Sequence, residues 1–363
     1  MHKTYVKGIP KGISEKDLEK AHEQIMLLTL DNFNWLKAGE TVLIKGAVNS
    51  KDKYPAATNP IAVRVLGKLI KDHGGIAKFG DQSGVEYVVH TPKGVLRGSS
   101  HECFKETGLD KCGVECVAFE DDAWDDFTHF THPQAANWPN GLYITPWIAK
   151  ADHIISLPRI STHAQGGVTL GAKNWVGILR QDSRMLFHAQ GPFNSFIDYY
   201  ARGSKLNERK IPGLDFFEMI AEIQLAVSGK LRGTIFTATE LQTALGPNKY
   251  LFNEYGLKLF KAPQIKPELG LIIGSTDPVA ADAVALAFLF DGYGQTPWLK
   301  KSLQQLLTAL NGSIHKLGTY SVWSNPFIAH GLNLGLGNKF DHINTLILDD
   351  CGDLGKRIVD MTK

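Results

Sequence analysis

The stretch from Thr41 to Asp81 sets the tightest limit on what this chain can fold into. It opens with "TVLIKG", a short apolar run with β-branched residues that ends on Gly46, and this predicts a strand. "TNPIAVRVLGKLIKDHGG" follows, where Asn59 suits a helix N-cap, Pro60 the first helical turn and Gly74 the stop. "IAKFGDQSG" then returns to an apolar run. Strand, helix and strand in that order make a βαβ unit, which requires parallel strands and a right-handed crossover.

The same punctuation recurs along the chain. Ser14 followed by Asp17 predicts a helix start, with Leu18, Ala21, Ile25 and Leu28 on one face. A polar helix around "HECFKETG" leads to the strand "VECVAFE", and the run from Ile154 to Leu157 is a buried strand ended by Pro158. "ELGLIIGSTDPVAADAVALAFLF" predicts a buried strand ending at Gly274, a cap at Asp277, Pro278 in the first helical position and an alanine-rich helix. "HINTLILDD" predicts a last strand. The expected class is therefore α/β. A length of 363 residues suffices for two domains, and the polar, bend-rich "LNERKIPG" suggests a boundary. We expect one α/β domain over residues 1–210, carrying the motif discussed next, and a second over residues 211–363. Both have mostly parallel sheets, with a site in the cleft between them.

Composition removes several function classes. The net charge is +2, from 39 basic against 37 acidic residues, so no nucleic-acid or anionic-membrane partner is expected. No run approaches the ~20 apolar residues of a membrane span, and the N-terminus has no signal-peptide core. A cytoplasmic protein is expected. Cys103, Cys112, Cys116 and Cys351 lack the grouping of zinc or iron–sulfur sites and are expected to be reduced thiols.

"THAQGGVTLGAKNWVG" begins just past the carboxyl end of a predicted strand, the edge where α/β sheets bind ligands. Asp81 lies at the same kind of edge. The stretch is not a phosphate loop, because Ala172 intervenes before Lys173 and Asn174 stands where a hydroxyl residue is needed. His163, Lys173 and His188 are the candidate reactive trio. Met185, Leu186 and Phe187 offer apolar walls beside His188, and desolvation there favours a neutral, reactive lysine or histidine. The helix start "ATNP" offers backbone amides to an anion, which adds Thr58 and Asn59 as cofactor- or anion-binding candidates. Gly166, Gly167, Thr169 and Asn174 join them from the glycine-rich bend. His129 and His132 form an H-x-x-H beside Pro133, which argues against the helix that would align them on a metal.

Three blocks resemble the domain-of-unknown-function family numbered 362: "VLIKGAVNSKDKYPAATNP", "DHIISLPRISTHAQGGVTLGAKNWVGILRQDSRMLFH" and "LGLIIGSTDPVAADAVALAFL". The family usually carries Lys-Thr-His where this chain has Ser161, Thr162 and His163. Some relatives append a cysteine-rich ferredoxin module that this chain lacks, so no iron–sulfur cluster is expected. The trio is also similar, more distantly, to the nickel-pincer lactate racemase family. That resemblance implies His163 as acid/base, Lys173 as covalent anchor of a pyridinium-derived pincer cofactor, and His188 as ligand to a transition metal, nickel. The racemase family has a second acid/base histidine where this chain reads "FGDQSG", which leaves Asp81 as the replacement. The implied function is proton or hydride movement on a small hydroxy- or oxo-acid. The alternative is a non-catalytic protein that binds a small anion or a cofactor.

Overall fold

The computed structural model describes residues 2–85, 87–163, 166–188, 216–251, 260–310, 320–343 and 345–363. The predicted βαβ unit is present as β2 (Thr41–Lys45), α2 (Pro60–Asp72) and β3 (Ile76–Asp81). Asn59 caps α2 by accepting from Ile61 N at 2.9 Å, with Pro60 in the first turn. The expected polar helix is α3 (Ser100–Thr107), and it leads to β4 (Glu115–Ala118). Around these elements, eight strands among the described residues form one sheet. The others are β1 (Thr4–Pro10), β5 (His153–Ser156), β8 (Leu231–Ala238), β11 (Leu269–Ser275) and β12 (Leu346–Asp349). Their order is β12-β1-β11-β8-β5-β2-β3-β4. β11 runs antiparallel to both of its neighbours, and every other pairing is parallel.

The sheet is buried on both faces, as parallel strands require. Alternate residues divide between two cores: Val42, Ile44, Ile155, Ile235 and Ile272 on one side, Leu43, Ile154, Phe236, Leu271 and Ile273 on the other. Helix α1 (Glu15–Thr29) and α2 cover the first face. Ser14 caps α1 by accepting from Asp17 N at 3.1 Å. Leu18, Ala21 and Ile25 are buried as expected, but Leu28 is 47% exposed. Its place on the inner face is taken by His22, whose Nε2 meets Thr237 Oγ1 at 2.8 Å and whose pKa burial pushes down to about 4.

The second face is covered by a helix that is apolar all round, α6 (Pro278–Gly294). Its alanines let it sit between the sheet and outer helices that include Pro326–Asn333 and Gly352–Thr362. Asp277 caps it as expected. The strand before it runs one residue further than predicted, to Ser275.

The expected domain boundary near residue 210 lies outside the described residues. Strands from both sides of it join in the one large sheet. A smaller sheet, ordered β7-β6-β9-β10, does the same. It pairs β6 (Ser161–His163) and β7 (Gly167–Thr169) with β9 (Leu241–Gln242) and β10 (Gln264–Ile265). No helix among the described residues is long and apolar enough to cross a membrane. The four cysteines are free. Burial pushes the Cys103, Cys112 and Cys351 thiols up to about 11 and Cys116 to about 12, which makes them poor nucleophiles.

Asp277 does more than cap. One carboxylate oxygen accepts from Ala280 N at 2.9 Å and the other from Asn338 N at 2.7 Å, tying the helix start to a distant loop. Asp277→Ala is expected to lower unfolding free energy by about 1–3 kcal/mol in urea denaturation. A change below about 0.5 kcal/mol would contradict this role.

Candidate functional site

The chain passes from β2 through α2 to β3 and then β4 on one side, and later returns to β5 on the other side of β2. The direction of winding therefore reverses between β2 and β5. Outside the carboxyl ends of two such strands, the loops separate and leave a crevice. Thr58 bridges the two loops there: its Oγ1 accepts from Ala47 N and donates to Leu157 O, both at 2.7 Å. Asn174 bridges the same strands through Nδ2, which donates to Lys45 O at 3.2 Å and Ser156 Oγ at 3.0 Å. Both were sequence candidates, and both lie at the reversal point. Asn59, beside Thr58, is spent on capping α2.

The electrostatic centre is a pair that sequence reasoning only half found. Lys45 is the last residue of β2 and is fully buried. Its Nζ lies 2.8 Å from Asp81 Oδ1 and also donates to Gly46 O at 2.6 Å and to Asn174 Oδ1 at 3.3 Å. Burial lowers the lysine pKa below its ordinary value, and the Asp81 charge opposes that shift. Asp81 sits at the carboxyl end of β3 as expected. It is not an isolated base: besides Lys45, it accepts from Val48 N at 2.6 Å and Gln82 N at 2.9 Å. Gly177 packs on the pair so closely that a Cβ there would lie 2.0 Å from Asp81 Oδ1.

Two more buried cations surround it. Arg159 donates to Ala56 O, and Arg184 donates to Ser83 O at 2.8 Å and Gln82 O at 3.0 Å. Burial pushes both guanidinium groups down to about 10, so both stay charged at neutral pH. Glu120, held by Ser100 N at 2.5 Å and Ser100 Oγ at 2.9 Å, has its pKa raised by burial. Three buried cations thus face the buried carboxyl groups of Asp81, Asp52 and Glu120 at this edge.

The glycine-rich stretch resolves into a hairpin and a short helix. His163 pairs with Gly167 across β6 and β7. Gly167 has a φ of +70°, a conformation that favours glycine. His163 is buried, and its Nδ1 accepts from Gly166 N at 3.0 Å, which in the neutral ring leaves the proton on Nε2. Thr169 is buried, and among the described residues its hydroxyl has no hydrogen-bond partner. Helix α4 (Gly171–Asn174) carries the half-buried Lys173. The N-terminal amides of α4 are held by Asp282 of α6, which accepts from Gly171 N at 2.7 Å and Ala172 N at 2.9 Å. His188 ends α5 (Gln181–His188), but its side chain lies outside the described residues. Among the described residues, no three His, Cys, Asp or Glu side chains group to hold a metal ion. His129 meets Asn140 O at 2.8 Å, and His132 accepts from Gln134 N at 3.2 Å.

A mostly parallel sheet with buried charge at its winding reversal defines an α/β protein whose candidate site lies at the carboxyl edge of the strands. The family described as Domain of unknown function (DUF362) matches residues 42–287, and the chain belongs to that family. No curated protein matches it. Among solved structures it is similar to a protein from Thermotoga maritima, with 10% identity and a TM-score of 0.41 over 85% of this chain and 61% of that one. It is also similar to the lactate racemase apoprotein from Thermoanaerobacterium thermosaccharolyticum, with 14% identity and a TM-score of 0.38 over 64% of this chain and 50% of that one. The chain thus spans less than two thirds of either structure. Neither likeness transfers a residue role.

Asp282 supplies a pH test. Burial pushes its carboxyl from 3.8 up to about 7, against the pull of the two backbone amides. The folded state therefore keeps a proton that the unfolded state releases, and stability falls as pH rises from about 4 to about 7. Urea midpoints of wild type and Asp282→Asn across that range are expected to converge or cross as pH rises. Parallel curves would contradict the assignment.

Proposed function

We propose that this chain is an enzyme that moves a proton on a small hydroxy- or oxo-acid held at the carboxyl edge of the parallel strands. The observation that carries this is the buried charge cluster at the winding reversal. Lys45, Arg159 and Arg184 surround Asp81 there, with Asp52 and Glu120 beside the arginines, in a place where water is excluded and fixed charges act strongly on a bound substrate.

His163 is the proposed acid/base. In the bonded arrangement its neutral ring carries the proton on Nε2, the proton that the proposed transfer moves. It takes a proton at Nδ1 only when the contact with Gly166 N opens. Lys173, on the helix gripped by Asp282, is the proposed anchor for a cofactor or for the substrate's charged group. A nickel pincer, implied by the more distant resemblance, would need Lys173 for attachment and His188 as ligand. The described residues hold no three-donor metal group.

The reaction is testable without knowing the physiological substrate. Incubating the protein in D2O with a panel of small hydroxy- and oxo-acids should place deuterium on the hydroxyl-bearing carbon of a hydroxy acid, or on the carbon next to the carbonyl of an oxo acid, read by NMR. His163→Ala is expected to slow that exchange by about 10²–10⁴-fold with folding intact. Wild-type exchange in that variant would remove His163 from the mechanism.

A second reading, binding without turnover, is favoured by one observation: the acceptor nitrogen of His163 is already occupied by Gly166 N. Saturable binding of an acid from the panel with no deuterium incorporation would select it.

A further inference from the structure

We propose that Gln82 and Gln181 form the recognition pair for the hydroxyl and carboxylate of a small hydroxy acid. The inference rests on the function proposed above and narrows its substrate class. Gln82 is 1% exposed and Gln181 0% exposed, and among the described residues none of their four side-chain amide atoms has a hydrogen-bond partner. Buried amides without partners are costly and rare, and a position that only packs is better filled by leucine or methionine.

The two residues lie along one seam. The segment from Gly177 to Arg184 runs beside the loop that follows β3. At one end a Cβ on Gly177 would lie 2.0 Å from Asp81 Oδ1. At the other, Arg184 donates to Gln82 O at 3.0 Å and Ser83 O at 2.8 Å, and Met185 packs on Val85. Gln181 falls between these anchor points, one turn before Arg184 on α5. The segments that carry the two glutamines therefore meet beside the Lys45–Asp81 pair, one continuing from Asp81 and the other from Gly177.

Each glutamine offers an amino group that donates and a carbonyl that accepts. A carboxylate only accepts, so it answers the amino groups. A hydroxyl donates as well, so it answers a glutamine carbonyl. A hydroxy acid carries both features on adjacent atoms. The matching oxo acid has no proton to give and leaves a buried carbonyl unpaired, the situation in which sites discriminate most strongly.

Calorimetric titration of the full chain with lactate and malate, beside pyruvate and oxaloacetate, tests this. The wild type is expected to bind a hydroxy acid at least about tenfold tighter than its oxo counterpart. Gln82→Leu and Gln181→Leu are expected to lose most of that preference, with Gln181→Met as a second variant if the leucine substitution at that position disturbs folding. Variants that retain wild-type affinity and preference, while the wild type still exchanges deuterium, would overturn the recognition pair and leave the proposed reaction standing. A wild type that binds none of the four acids would overturn both.

Discussion

The carboxyl edge of this sheet depends on one ion pair. Lys45 and Asp81 end adjacent parallel strands, and a buried ammonium without a partner would not be tolerated there. The pair also organises its surroundings. Asp81 fixes the loop after β2 through Val48 N and the loop after β3 through Gln82 N. Lys45 reaches Asn174, which in turn spans to β5. Gly177 has no room for a side chain because the pair fills that space. Removing either partner would leave the other charged group buried alone, a change that costs about 3–5 kcal/mol in comparable cases.

Distant parts of the chain are bound to this edge by hydrogen bonds to backbone. Tyr54 OH accepts from Thr239 N at 2.8 Å and Glu240 N at 3.1 Å, and Asp52 accepts from Lys249 N at 2.8 Å. Gly84 N donates to Asn49 O at 2.9 Å, and Asn49 Nδ2 donates to Asn248 Oδ1 at 2.6 Å. Loops that follow β2, β3, β8 and β9 are therefore locked to one another. Asp282 extends the same logic from the far face, since the helix that covers the second core also fixes the start of the helix bearing Lys173. The two motif blocks that lie far apart in sequence meet through that single carboxyl.

Local chemistry made much of the fold legible. Caps at Ser14, Asn59 and Asp277, each followed by helical periodicity, placed three helices, and the apolar runs between them placed the central strands. Leu28 failed because the inner face of α1 drifts with the helical repeat, so that His22 and Met26 fill it instead. The hairpin of β6 and β7 was not anticipated, because three-residue strands are defined by their partners and β9 lies almost eighty residues on. Asp81 and His163 were legible from their place at strand ends, Thr58 from the helix start it precedes and Asn174 from the glycine-rich bend. Lys45 was not, because a lysine closing an apolar run looks like a solvated strand end until Asp81 is brought beside it. Arg159, Arg184, Gln82 and Gln181 were missed because charged and amide side chains are ordinarily solvent-facing. The one available hint was the glycine at 177, which has no local turn to explain it.

The state of Lys45 tests the account most directly. Selective ¹³C labelling of lysine and NMR titration of its ε-carbon would report when this ammonium loses its proton. The account predicts a midpoint below the ordinary lysine value of 10.5, and a further fall in Asp81→Asn as the opposing charge is removed. A Lys45 that titrates like a surface lysine, and does not respond to Asp81→Asn, would contradict a buried, Asp81-paired cation at the centre of this site.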